Sequence, residues 1–160
     1  MKYDFINELG YLALATRLKR ISDAMVHSGR QMYKELKMDI EPNWFLVFKL
    51  LQKFDGLTVT EMAKKLHFSH PSVITLVGKM ESKGYISSAN HIDDSRKRVY
   101  SLSEKALEQL PEFEKIWQAG TSGVKKLFHD SDAFLQQLES IEVQLSKEDF
   151  MTRTFNELQK

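Results

Sequence analysis

The sequence predicts a mainly α-helical fold with one small β-hairpin, and three observations carry that prediction. Only three prolines (Pro42, Pro71, Pro111) and seven glycines interrupt 160 residues, so long helices are the base expectation. Apolar residues recur at three- and four-residue spacings over most of the chain, the rhythm of amphipathic helices. That rhythm breaks between residues 85 and 102, where two short runs flank a polar, charged segment, the pattern of a hairpin.

Composition narrows the class. A hydrophobic share of 42% with 28% charged residues fits a folded soluble chain with a real core and excludes a disordered one. There is no cysteine, which removes disulfides, zinc knuckles, iron–sulfur clusters and thiol redox sensing together. The longest apolar run, Trp44 to Phe48, is far short of a membrane span, and Asp4 stands where a signal peptide would begin its apolar stretch. A cytoplasmic protein with no membrane partner is the expectation. The 23 Lys and Arg against 22 Asp and Glu leave a formal charge of only +1. Taken whole, that balance argues against nucleic acid, so the charge has to be read by region.

From about Phe5 to Leu36 the residues Leu14, Leu18, Ile21, Met25 and Met32 form a helical stripe with heptad character, with Ser28-Gly29 as a bend or an end. A second helix is expected from Glu41-Pro42, since proline suits a first turn. It carries Trp44, Val47, Phe48, Leu51 and Phe54 and stops at Asp55-Gly56.

The next fifty residues are the most informative. Thr58 or Thr60 caps a short helix that buries Val59, Met62, Ala63 and Leu66. After the turn His67-Phe68-Ser69, a second helix starts with Ser69 as N-cap and Pro71 in its first turn. It buries Val73, Leu76, Val77 and Met80 and ends at Gly84, where a left-handed cap residue belongs. Helices joined by so short a turn cross steeply, which is a helix-turn-helix. The runs 85–89 and 99–102 then make a two-stranded ribbon with a charged tip. A lone hairpin is marginal in water, so it must pack on the helices beside it. Ser103-Glu104-Lys105 starts a further helical region. Its stripes are Phe113, Ile116 and Trp117; Val124, Leu127 and Phe128; and, after the capping cluster Asp130-Ser131-Asp132, Phe134, Leu135, Leu138, Ile141 and Leu145. Gly120-Thr121-Ser122-Gly123 is a candidate break.

The search for catalysis finds nothing positive. No glycines lie at a phosphate-cradling spacing, and no Gly-flanked serine suggests a nucleophile. The five histidines form no ligand pairing with acids. No enzyme, metal or cofactor is expected.

Binding is better supported. Opposite its apolar stripe the second helix of the pair carries Ser69, His70, Ser72, Thr75 and Lys79, short polar groups near the end that enters the major groove in helix-turn-helix proteins. Hydroxyls and a helix N-terminus suit phosphate oxygens, and His70 or Lys79 suits a base edge or a phosphate. At the hairpin tip, Asp93-Asp94-Ser95-Arg96-Lys97-Arg98 sets three consecutive cations after two acids. Asp94 can accept a hydrogen bond from Arg96 and hold its guanidinium ready for a narrow minor groove. Lys97 and Arg98 can supply phosphate contacts, and alternation along the strand turns one of them back toward the protein.

Leu57 to Ala106 resembles the winged helix-turn-helix of MarR-type transcriptional regulators. The resemblance runs through Val73, Leu76-Val77 and Lys83-Gly84-Tyr85-Ile86. It continues to Asp94-Ser95-Arg96 and Val99-Tyr100-Ser101-Leu102-Ser103-Glu104-Lys105. Its specific part is the Asp-x-Arg wing followed by Leu-Ser-Glu-Lys. The resemblance implies three regions: N-terminal dimerisation helices (1–40), a winged helix-turn-helix DNA-binding lobe (41–106) and C-terminal dimerisation helices (107–160). It also implies a homodimer on a palindromic operator, with Ser69 to Lys79 in the major groove and the wing pair Asp94 and Arg96 in the minor groove. A ligand-released repressor is the implied mode of action, with a small-molecule pocket between the dimerisation helices and the DNA-binding lobe. Tyr11, Trp44, Phe48 and Trp117 lie on helices that would surround such a pocket and could stack on a small aromatic effector; the competing reading places them in the core or the dimer interface.

Departures from the family's pattern bear on the strength of binding. Arginines are usual just before the wing, where this chain has Ser88 and Ala89. Arg is frequent where Thr75 stands, and Asp where Gly78 stands. Fewer phosphate contacts imply weaker affinity and a shallower salt dependence, and they lend weight to a competing reading, a winged-helix module that binds protein rather than DNA. Gly78 costs about 1 kcal/mol relative to Ala in mid-helix and leaves room for a partner to come close. Divided by region, residues 57–106 carry 8 Lys and Arg against 5 Asp and Glu, while residues 107–160 carry 6 against 10. The near-neutral total therefore conceals a modestly basic binding lobe and an acidic C-terminal segment.

Overall fold

The computed structural model describes residues 3–90 and 97–160, in two compact units, Met1–Glu108 and Gln109–Lys160. The first unit opens with a short helix α1 (Phe5–Glu8), capped by the Asp4 carboxylate, and a 3-10 turn (Gly10–Ala13). The long helix α2 (Leu14–Glu35) follows. It passes through Ser28-Gly29 without a break. A Cβ at Gly29 would lie 3.3 Å from the Pro42 side chain, a tight approach that glycine avoids. Helix α3 (Phe45–Lys53) begins three residues later than Pro42, because residues 42–44 form a turn.

The helix-turn-helix is present as its signals predict. Helix α4 (Val59–Leu66) is capped by Thr58 in a reciprocal capping box. The Glu61 N–H donates to Thr58 Oγ1 at 3.3 Å, and the Thr58 N–H and hydroxyl donate to the Glu61 carboxylate at 2.8 and 2.7 Å, satisfying donors a helix start otherwise leaves open. His67 turns the chain in the left-handed conformation at φ 52°. Helix α5 (His70–Ser82) starts on Ser69 with Pro71 in its first turn and buries Val73, Leu76, Val77 and Met80. Gly84, at φ +75°, closes it, a backbone state that only glycine adopts freely.

Strands β2 (Ile86–Asn90) and β3 (Arg98–Leu102) pair antiparallel from Ile86 opposite Leu102 to Asn90 opposite Arg98. The ribbon is not alone. The two-residue strand β1 (Leu57–Thr58) pairs with the other edge of β3, giving a three-stranded sheet in the order β1-β3-β2. The third strand is the structural answer to the marginal stability of a lone hairpin.

Three aromatic rings organise the core of this unit. Tyr85, 1% exposed, meets Trp44 edge-on at 5.8 Å and Phe48 edge-on at 5.6 Å between centroids, the geometry that aromatic quadrupoles favour. The Tyr85 hydroxyl donates to Asp39, in the segment between α2 and α3. Lys105 and Lys83 bring their ammonium groups to 3.6 and 3.9 Å from the same carboxylate, and Lys105 also lies 4.0 Å over the Tyr85 ring and donates to the Lys83 carbonyl at 2.8 Å. The Tyr85 hydrogen bond, followed by the two lysine charges, holds the Asp39 carboxyl below its ordinary value. Burial, followed by the Asp39 carboxylate, pushes the Tyr85 phenol up. A carboxylate whose folded value is depressed contributes stability that is full at neutral pH and is lost as pH falls through about 4 and below. Asp39→Asn is therefore expected to lower the unfolding temperature at pH 7. The difference from the parent chain should shrink toward pH 3, as thermal unfolding followed at both pH values will show.

Helix α6 (Glu104–Leu127) starts on Ser103, whose Oγ accepts from the Ala106 N–H at 3.1 Å and donates to the Gly84 carbonyl at 2.6 Å. It continues through both Pro111 and Gly120 to Gly123, so neither interrupts the chain as their composition suggests. The second unit adds α7 (Ala133–Lys147) and a further helix α8 (Phe150–Leu158), capped by Asp149, that the apolar stripes did not separate. Ser131 rather than Asp132 supplies a side-chain acceptor at the start of α7. Phe128 and Phe134 stack at 5.0 Å, and Phe113 and Trp117 lie 5.9 Å apart. Among the described residues, no helix is long and apolar enough to cross a membrane.

Candidate nucleic-acid interface

The outward face of α5 is built by subtraction. Four apolar residues turn inward, leaving His70, Pro71, Ser72, Ile74, Thr75, Gly78 and Lys79 exposed. Several of the polar groups on this face are already engaged. Ser69 Oγ accepts from the Ser72 N–H at 3.3 Å and lies 2.7 Å from Ser72 Oγ. The Thr75 hydroxyl donates to the Pro71 carbonyl at 3.0 Å, the back-bonding typical of Thr inside a helix. His70 Nε2 is 3.4 Å from Thr60 Oγ1, linking the N-termini of α5 and α4.

On the hairpin, Asp94, Ser95 and Arg96 lie outside the described residues, and Lys97 is exposed at its edge. Arg98 is the cation that faces back toward the protein. Its guanidinium donates to Glu81 on α5 at 2.9 Å and to the Ser88 hydroxyl on β2, and it lies 5.6 Å from the Tyr100 ring centroid. Ser88 in turn donates to Glu81 at 2.6 Å. The Ser88 position thus holds the hinge of an Arg–Ser–Glu network that fastens the hairpin to α5. Beside it, Thr58, Thr60, His70, Ile74, Lys97 and Tyr100 help line a cleft of about 570 Å³.

Of the four aromatic residues considered for an effector, three belong to the first unit, and two of these, Trp44 and Phe48, close on one neighbour, Tyr85. Phe48 is fully buried and Trp44 is 2% exposed, both against Tyr85. Tyr11 stands 94% exposed in the 3-10 turn, and Trp117 belongs to the second unit. Trp44 helps line a cleft of about 440 Å³. Among the described residues no group of His, Asp and Glu is placed to hold a metal ion.

Three features of the interface were missed at the level of sequence. Ile74 falls just off the buried stripe, and an apolar residue there is itself the signal. The Arg98–Glu81 pair spans 17 residues and the Tyr85–Asp39 bond 46. No local pattern announces either.

Comparison with known proteins agrees with this geometry. The family model described as MarR family matches residues 38–97. Among curated proteins, none matches this sequence. The fold is similar to that of MepR from S. aureus, solved as a DNA complex, with TM-score 0.72, 20% identity, and 82% of this chain and 96% of that one covered. It is similar to the transcriptional repressor CouR bound to a 23-mer DNA duplex, with TM-score 0.69, 22% identity, and coverage of 84% and 96%. A mutant MarR from E. coli complexed with operator DNA gives TM-score 0.65 at 17% identity, with coverage of 91% and 98%. By its fold this chain is a winged helix-turn-helix protein, and its residues 38–97 match the MarR family.

Proposed function

We propose that the chain is a homodimeric, sequence-specific regulator of transcription that binds double-stranded DNA at a palindromic operator and acts as a ligand-released repressor. The observation that carries this reading is the α5 face. It is a capped, exposed helix flanked by a β-hairpin, in a segment with three more cations than acids, in the arrangement that places a recognition helix in the major groove. His70, Lys79 and Lys97 meet the duplex in this reading, with Asp94, Ser95 and Arg96 carrying the wing contact. Exposed apolar stripes support the homodimer. Leu14, Leu18, Ile21 and Met25 follow one another along α2, and Phe150, Met151, Phe155 and Leu158 along α8, all open to solvent in the single chain. Patches of that extent are normally covered by a partner.

The effector reading narrows to the cleft beside Trp44. Arg30, Lys34, Lys79 and Lys83 line it against Asp39 and Glu41, a cationic balance suited to a small aromatic anion. Lys79 belongs to α5, so occupancy of the cleft bears directly on the recognition helix.

Titration of the full chain with random duplex DNA at increasing salt tests the reading. A DNA regulator loses affinity steeply as salt rises, and absence of binding at any salt favours a protein-interaction module. The Arg98 network adds a specific expectation. Glu81→Ala removes the acid that holds Arg98, freeing one cation for a phosphate. With one Arg98 freed in each subunit of the dimer, the slope of log affinity against log salt should steepen by about 1.8, and an unchanged slope would leave Arg98 a purely structural residue.

A further inference from the structure

Resting on the DNA-binding reading, we propose that Ile74 is a specificity-determining residue that reads a thymine methyl group in the major groove, with Gly78 as the gap that lets the base edge approach. Ile74 is 51% exposed on the outward face of α5. Gly78 lies one turn further along, four residues on, and therefore on the same face. The polar neighbours that would otherwise read base edges are partly spent inside the chain: the Thr75 proton goes to the Pro71 carbonyl, and the Ser69 and Ser72 hydroxyls share one hydrogen bond. Beside His70 and Lys79, part of the discrimination therefore falls to shape and apolar contact, and the base group in the major groove that rewards an aliphatic side chain is the thymine C5-methyl. Lys97 rims the same cleft as Ile74, and its cation suits an adjoining phosphate backbone.

Gly78 supports the same occupant. A Cβ there would meet nothing within 4 Å, so the chain's own packing does not ask for glycine. Glycine in mid-helix is nonetheless unfavourable. The empty space is explained by a partner that comes close.

The test uses the full chain and an operator recovered by selection from random duplexes. Each thymine is replaced in turn by deoxyuridine, which removes the methyl and nothing else. The expected result is a loss of about fourfold in affinity at one thymine of each half-site, the worth of one buried methyl. Ile74→Ala, which removes the contact from both half-sites, should bind the parent operator about sixteenfold more weakly and no longer distinguish thymine from deoxyuridine. Gly78→Ala should raise the unfolding temperature while weakening operator binding. An operator that is bound tightly yet insensitive to deoxyuridine at every thymine overturns the role of Ile74 and leaves DNA binding intact. Unchanged binding by Gly78→Ala overturns the role of the gap. Recovery of no operator at all overturns this proposal together with the function it rests on.

Discussion

Phe48→Ala is expected to destabilise the chain by about 3–5 kcal/mol, the largest stability effect of any single truncation considered. Phe48 is fully buried on α3 and sits edge-on to Tyr85, with ring planes at 84°. Its removal opens a cavity and withdraws the support of the ring whose hydroxyl reaches Asp39. The loss is therefore felt at the junction of the α2–α3 segment with the end of α5. A typical domain has only about 5–15 kcal/mol in total, so the midpoint of urea unfolding should fall markedly. The same experiment separates the two readings of this aromatic. A residue that serves mainly to stack on an effector would leave the urea midpoint of the free protein nearly unchanged, whereas a core residue lowers it at once.

Ile74→Asp is expected to abolish specific DNA recognition, with a loss of about a hundredfold or more, while the fold persists. The side chain is half exposed, so an aspartate there stays hydrated in the free protein and costs only a small difference in helix propensity. In the complex the carboxylate would face acceptor-rich base edges and the phosphate backbone, and like-charge juxtaposition at an interface costs several kcal/mol. Circular dichroism of the variant should match that of the parent, and a gel-shift or anisotropy titration should show the loss. Retained affinity would mean that this face of α5 does not meet DNA.

The parts of the fold that were legible in the sequence are those set by neighbours. A threonine cap at Thr58 or Thr60, the Ser69 cap, Pro71 in a first turn and Gly84 at a helix end each act within four residues, and the structure settles the first on Thr58, with Glu61 completing a capping box. Helix-period spacing fixed the buried face of α5 for the same reason, while on α4 only Met62 is buried and Val59, Ala63 and Leu66 are partly so. What was not legible depends on distant partners. Strand β1 is two residues long and exists because β3 offers an edge, so no run of its own could reveal it. Pro111 and the glycines at 120 and 123 look like breakers, yet α6 continues across all three. For Pro111 the intrinsic cost, about 3 kcal/mol in an isolated helix, is overridden in the folded chain. The cationic run at the hairpin tip was readable as a patch of charge. That Arg98 is turned inward to Glu81 and Ser88, which lowers the number of cations available to DNA, follows only from strand register.

The aromatic residues carry the same lesson for the site. Trp44 and Phe48 share the spacing of any buried helical stripe, and spacing alone does not distinguish a wall of a pocket from the centre of a core. Tyr85 decides between them, because both rings close on it. Ile74 shows the converse. Its apolar side chain invites assignment to the core, and its position one residue after Val73 carries it out to the face that a partner would meet.

The central claim, sequence-specific recognition of duplex DNA through α5, is tested most directly by one comparison. The full chain is titrated against a duplex enriched from a random pool and against the same duplex with its sequence scrambled, at matched salt. The account predicts that the enriched duplex binds about a thousandfold or more tightly. It also predicts that the affinity for both falls as salt rises. Equal affinity for the two duplexes, or no enrichment from the pool, would contradict it.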